Sequence, residues 1–200
     1  MRHAYQGLLG ILLLGGCSSQ PALAPNEYLD PVTAVTIRAV AQPITFARDS
    51  PELGANVRDY LSAGVVDVNN MGAHKYYLAL VSWSTVDRRG TGAAPTPVPE
   101  QIEILVGGVE RVFSPLTHES RSLGIGLPLF RPPSGYAGES WYLLSGAEVQ
   151  ELATAPPASI ALRDSVAGRV TYLGWRSASG ELLEFARDLP TPTGSEVRRR

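Results

Sequence analysis

The chain predicts a mainly β fold, an antiparallel β-sandwich of about seven to nine short strands with one short helix near residues 146–154. Three observations carry this prediction. Apolar and polar residues alternate along many short stretches, the period of a half-buried strand. Twenty glycines and sixteen prolines interrupt the chain too often for long helices. Only one stretch carries a complete set of helix-start signals. An open antiparallel sheet with a helix packed on one side is the alternative. A parallel sheet is disfavoured because strands do not alternate with helices.

The elements follow in order. In Thr33–Val40, residues Val35, Ile37 and Ala39 fall on one face and Thr36 and Arg38 on the other, which predicts a strand. Ile44–Ala47 predicts a second. Ser50-Pro51-Glu52-Leu53 offers a cap residue followed by proline at the first helical position, enough for one helical turn. Tyr60–Asn69 and Tyr76–Ser84 then predict a hairpin, with turn chemistry in Asn69-Asn70-Met71-Gly72. Both faces of its second strand are apolar, so it belongs inside a sheet and covered on both sides. Tyr76, Tyr77 and Trp83 are therefore expected in core packing rather than as an aromatic ligand platform.

Arg88–Glu100 is a Gly/Pro-rich loop. Gln101–Val106 and Val109–Phe113 predict a second hairpin about Gly107-Gly108, two glycines that suit a turn needing positive φ at both positions. That turn pairs Val106 with Val109, Ile104 with Arg111 and Ile102 with Phe113. It sets Gln101, Glu103, Leu105, Glu110 and Val112 on a mainly polar opposite face. Leu123, Ile125 and Leu127, alternating with Gly124 and Gly126, predict a further strand, and Phe130–Gly138 a loop. After the apolar run Trp141–Leu144, Ser145 and Glu148 form a capping box. Leu144 and Val149 supply the hydrophobic staple, and Pro156-Pro157 ends the helix. Ser159–Leu162 and Arg169–Arg176 predict strands. Glu181–Ala186 fits a closing strand through Leu183 and Phe185, or a helix through Leu182, Phe185 and Ala186.

Composition narrows the function classes. Seventeen basic against nineteen acidic side chains leave no basic excess for nucleic acid. A single cysteine excludes an intrachain disulfide and a Cys-rich zinc site. At the N-terminus, Met1-Arg2-His3 is a positive start, and Gly7–Leu14 is an apolar run ending in Gly15-Gly16-Cys17. The run is shorter than the roughly 20 residues that a bilayer span needs. Its layout is that of a secretory signal.

Leu14-Gly15-Gly16-Cys17 resembles the lipobox of bacterial lipoproteins, with the chain's one cysteine at the required place. The resemblance implies cleavage before Cys17, a diacylglycerol on its sulfur and acylation of the new N-terminus. Two or three acyl chains anchor a protein firmly where one does not. Ser18 and Ser19 in place of an aspartate resemble the pattern of outer-membrane lipoproteins. The mature domain resembles only the general pattern of proteobacterial lipoproteins without an assigned role. The expected organisation is a signal peptide at 1–16, a lipidated tether at 17–31, a single β-rich domain at 32–188 and a disordered tail at 189–200.

Motifs for chemistry are sparse. His74 falls in the predicted turn. His118 lies in the polar stretch Thr117-His118-Glu119-Ser120, without the His-x-x-x-His partner of a zinc helix. No Gly-x-Ser-x-Gly elbow is present, and neither Gly107-Gly108 nor Gly124-Ile125-Gly126 has the context of a phosphate loop. Asp30, Asp49, Asp59, Asp67, Asp87 and Asp164 fall at strand ends and turns, where aspartate commonly caps the backbone. Arg198-Arg199-Arg200 is a short charge run in the tail. No catalytic residue, metal or cofactor is expected, and Cys17 is a lipid attachment point.

The expectation is a non-enzymatic, lipid-anchored envelope protein with a binding or scaffolding domain facing the periplasm. Its partners would be the membrane, through Cys17, and an envelope protein complex that it serves as an accessory subunit. Contact is expected through Arg88–Glu100 and Arg131–Gly138, loops held by a rigid scaffold. The alternatives are a periplasmic hydrolase of cell-wall or carbohydrate material centred on His118, and a structural or stress-related envelope lipoprotein.

Overall fold

The computed structural model describes residues 25–51, 54–86, 99–130, 136–164 and 168–189. The fold is mainly β and antiparallel. Ten strands and two short helices follow one another as β1 (Asn26–Leu29), β2 (Thr36–Ala39), β3 (Ile44–Asp49), β4 (Arg58–Asn70), β5 (Ala73–Ser84), β6 (Gln101–Val106), β7 (Val109–Phe113), β8 (Tyr136–Leu144), α1 (Gly146–Thr154), β9 (Ser159–Asp164), β10 (Gly168–Arg176) and α2 (Ser179–Arg187). None of the described helices is long and apolar enough to cross a membrane.

The long strand β4 organises the sheet. One of its edges pairs with β5 along nearly its full length, from Asp59 opposite Ser84 to Asn70 opposite Ala73. Met71-Gly72 make the tight turn between them, both with positive φ, as a twist-matched two-residue hairpin turn requires. The other edge is shared. β3 takes its first half, Arg58–Ala63, and β2 takes Val66–Asn69. Between these partners the chain steps from β2 to β3 through Ala41–Pro43, and the Val40 amide donates to the Val65 carbonyl at 3.1 Å. The sheet forks at this step. β1 adds to β2, while β10, β9, β6 and β7 add in that order beyond β3; on the far side β8 adds to β5.

Two cores result. The larger joins β3, β4, β5 and β8 to β6, β9 and β10 through Phe46, Leu61, Leu78, Ile104, Tyr142, Ile160 and Tyr172, with both helices contributing. The two halves of one hydrogen-bonded network thus share a sandwich-like interior. The smaller core lies on the opposite face of β4, β5 and β8, where Val66, Val68, Tyr77, Ala79 and Trp141 meet Ile37 and Ile125. β5 is consequently covered on both faces over Tyr77–Val81, as its two apolar faces predict.

The capping box forms at α1: the Ser145 hydroxyl accepts the Glu148 amide, and the Glu148 carboxylate accepts the Ser145 amide at 2.7 Å. Leu144 and Val149 are buried in the large core. The second hairpin has the expected register throughout. Glu181–Ala186 is helical within α2, where Leu182, Phe185 and Ala186 share the buried face; period 3.6 places all three inward, whereas a strand would bury only two.

The structure departs from the sequence pattern in five places. Asn26–Leu29, expected within the tether, forms edge strand β1, because β2 has a free edge that pairs with it residue by residue. The Leu123–Leu127 alternation is not a strand: Ser120–Leu123 is a 3-10 turn closed by Gly124 at φ 83°, and Ile125 alone is fully buried. Tyr136–Gly138, expected as loop, extends β8 by pairing with β5. Glu103, expected on an exposed polar face, is buried beneath arginines from β9 and β10. The strands number ten, with a second helix beside the expected one. The one-turn helix at Ser50–Leu53 lies partly outside the described residues. The signal peptide, Cys17, most of the Arg88–Glu100 loop, Arg131–Ser134 and the tail from 190 lie wholly outside them.

Candidate functional site

The outer face of β4 is covered only in part. From Gly64 to Val68 it lies under Phe130, Ile125 and the β8 side of the small core. Its first residues, Tyr60 and Ser62, are left beside an open cleft. Cross-strand pairing explains what gathers there. Residues opposite one another in an antiparallel ladder share a face, so Leu105, Ser159, Leu173, Ala47, Tyr60 and Trp83 form one row across six strands. At strand spacing, the row spans about 24 Å.

The cleft has a volume of about 260 Å³ and is lined by Gln42, Pro43, Thr45, Tyr60, Ser62, Trp83, Trp175 and Arg176. Tyr60 and Trp83 stack with ring centroids 4.1 Å apart and planes within 10°. Trp175 meets Tyr60 edge-on at 6.1 Å. The Trp83 indole N–H donates to the Ser62 hydroxyl at 3.0 Å, which fixes the ring and leaves that hydroxyl its own proton to donate. The Arg58 guanidinium lies over Trp175 at 4.6 Å while its Nε donates to Asp49 at 2.8 Å. That carboxylate raises the arginine's pKa further, so Arg58 stays charged and paired. Arg176 has no side-chain ion pair or hydrogen bond among the described residues.

Trp175 sits at an irregularity in the ladder. The β10–β3 register shifts between Gly174 and Arg176, leaving Trp175 as the extra residue; the β5–β8 register shifts at Ser82–Trp83 with its extra residue on β8, so Trp83 keeps its regular place opposite Tyr60. A bulge such as that at Trp175 re-aims a side chain, and bulges are enriched beside functional sites. Trp175 is 55% exposed, and Leu173 on the same face is 65% exposed.

The outer face continues across β6, β9 and β10 with an ionic cluster. Glu103 pairs with Arg163 and, at 2.5 Å, with Arg169, which also reaches Glu110 at 3.1 Å. Hydrogen bonds from Arg169 and Arg163 overcome burial and hold the Glu103 carboxyl at about 2. Two arginines against two glutamates make the cluster neutral.

Among the described residues, neither His74 nor His118 is hydrogen-bonded through its ring to both a hydroxyl and a carboxylate. His118 is exposed, with Nδ1 2.9 Å from the Ser140 hydroxyl, but Ser140 is buried and no described carboxylate bonds to the ring. His74 lies 2.7 Å from Asp67, whose other oxygen is buried without a partner among the described residues. Burial pushes the Asp67 carboxyl up, against the pull of His74 and Arg38. No described group of three or more His, Cys, Asp or Glu residues converges on a metal-sized site. Among the described aspartates Asp30 caps backbone amides, whereas Asp49, Asp59 and Asp67 bind side chains instead. Of the three expected core aromatics, Tyr77 is buried and Tyr76 packs against the large core, while Trp83 lines the cleft.

Tyr60, Trp175 and Arg176 were not singled out by sequence pattern. The hairpin register held the signal for one of them: a two-residue turn at Met71-Gly72 sets Tyr60 opposite Trp83. Trp175 arrives through the β10–β3 pairing, which no local pattern announces. No family model, curated protein or solved structure matches the chain.

Proposed function

We propose that this is a lipid-anchored cell-envelope protein, held at Cys17 in the outer membrane, whose β-rich domain faces the periplasm and binds a ligand or partner rather than catalysing a reaction. The carrying observation is the open cleft of Tyr60, Trp83 and Trp175, with Trp175 placed by a bulge and Trp83 by its register opposite Tyr60, beside an exposed sheet face. Aromatic walls with a few directed polar groups are the usual chemistry of a recognition site. The accessory role in an envelope complex rests on the same face.

The anchor and the binding role are tested separately. Cys17→Ser moves the protein from the detergent phase to the aqueous phase on phase partitioning; continued membrane partitioning contradicts the anchor. For binding, the wild-type protein is crosslinked in cells, purified and compared with Trp175→Ala. The expected result is a stoichiometric companion with wild type that Trp175→Ala loses. An identical set of companions in both contradicts a binding role for the cleft.

A further inference from the structure

We propose, resting on that binding role, that the cleft takes a saccharide chain carrying an acidic substituent, laid across the strands of the outer face. Four features on the face point to this chemistry together.

The first is the mixture of surfaces. Sugar rings present C–H faces beside hydroxylated edges. Trp83 and Trp175 each have one face taken, by Tyr60 and by the Arg58 guanidinium, and the ring surface that still lines the cleft attracts polarised C–H bonds. Beside them, the Ser62 and Thr45 hydroxyls and the Gln42 amide supply donors and acceptors for ring hydroxyls.

The second is size and openness. At about 260 Å³ the cleft lies just under the 300–1,000 Å³ range of pockets that enclose drug-sized ligands. It therefore holds one unit of a chain rather than a whole ligand. Beyond it, Ala47, Leu173 and Ser159 continue the same row, with Leu173 65% exposed as an apolar contact for neighbouring units.

The third is charge. Arg58, Arg163 and Arg169 are neutralised by Asp49, Glu103 and Glu110, so Arg176 is the cleft's uncompensated charge among the described residues. A carboxylate on the sugar would complete it.

The fourth speaks against an extended peptide. A strand-like peptide binds by adding to a free sheet edge. Here β3 and β4 each have partners on both sides, so their backbone groups are already committed to the ladder.

The test follows intrinsic tryptophan fluorescence of the full chain in detergent micelles, with trigalacturonate as the acidic probe and its methyl ester as the neutral one. Trp83 and Trp175 line the cleft and Trp141 is buried, so a ligand there changes the signal directly. The expected result is a saturable change with trigalacturonate, and about tenfold weaker binding of the ester, the worth of one charge-assisted hydrogen bond. Trp175→Ala removes the response. Arg176→Gln keeps the fold and brings acid and ester to equal affinity. Leu183→Ala, on the exposed side of α2, leaves the titration unchanged.

No saturable change in wild type overturns the saccharide assignment, as does a response that survives Trp175→Ala or a proline-rich peptide that competes for the same signal. If the probe fails while Trp175→Ala still strips the companion from crosslinked cells, the ligand class is wrong and the binding role stands. If both lack dependence on Trp175, both fall.

Discussion

Tyr60 and Trp83 face one another across the β4–β5 ladder, with rings 4.1 Å apart and nearly parallel. The pair holds one wall of the cleft, so its geometry is part of the site. Aromatic pairs contribute roughly 0.5–1.5 kcal/mol beyond the area they bury. A double-mutant cycle of Tyr60→Ala and Trp83→Ala, followed by urea unfolding, is expected to give a coupling of about 1 kcal/mol. Strict additivity would mean that the stack contributes nothing to stability.

Asp30 ties the start of the domain to the Gly124–Gly126 segment. One carboxylate oxygen accepts the Val32 amide at 2.8 Å and the Thr33 amide at 3.2 Å; the other accepts the Gly126 amide at 2.7 Å. Burial alone would raise its pKa, but these amides outweigh it and hold the carboxyl below its ordinary value. A Cβ at residue 126 would lie 2.8 Å from both Asp30 Oδ1 and the Val32 Cβ. Gly126→Ala is therefore expected to cost about 1–3 kcal/mol, read as a lowered thermal midpoint. An unchanged midpoint would show that the contact relaxes freely.

Glu103 makes stability pH-dependent. Its folded pKa, about 2, lies below the ordinary 4.5, so its contribution is full above about 4.5 and disappears as pH falls toward 2. The arginines that hold it are more than half exposed, which screens the pairs. Glu103→Gln is expected to lose about 1–2 kcal/mol at neutral pH, and the gap to wild type should close on acidification through that window. A gap that stays constant from pH 6 to pH 2 would contradict the ion-pair account.

Gly64 lets Phe130 lie close against the outer face of β4, where it packs beside both cores. A Cβ there would lie 2.3 Å from Phe130 Cζ. Gly64→Ala should cost about 1–3 kcal/mol in the wild-type background. In a Phe130→Ala background the same change should cost little, because the ring it strikes is gone. Equal costs in both backgrounds would place the clash elsewhere.

Local chemistry carried much of the fold. The Gly107-Gly108 turn sets a register that the whole β6–β7 hairpin follows, and Ser145 with Glu148 starts α1 where the capping box places it. These features depend on neighbours within a few residues. The pairings that build the cleft do not. Glu103 looked solvent-facing because the hairpin register sets it on a mainly polar face with Gln101 and Glu110; it is buried by Arg163 and Arg169, which lie 60 and 66 residues away in sequence. Asn26–Leu29 looked like tether because its own pattern is weak, and it becomes a strand through the waiting edge of β2. Trp175 is placed by a bulge, a one-residue register shift that composition and periodicity do not encode.

The most direct test of the central claim is photocrosslinking in living cells from position 173, with position 183 as the control. Leu173 lies on the cleft face beside Trp175, and Leu183 is comparably solvent-facing on α2. A photoreactive residue at 173 is expected to give a discrete adduct that Trp175→Ala abolishes, while 183 gives none. No adduct from 173, or the same adducts from both positions, would contradict a binding site on this face.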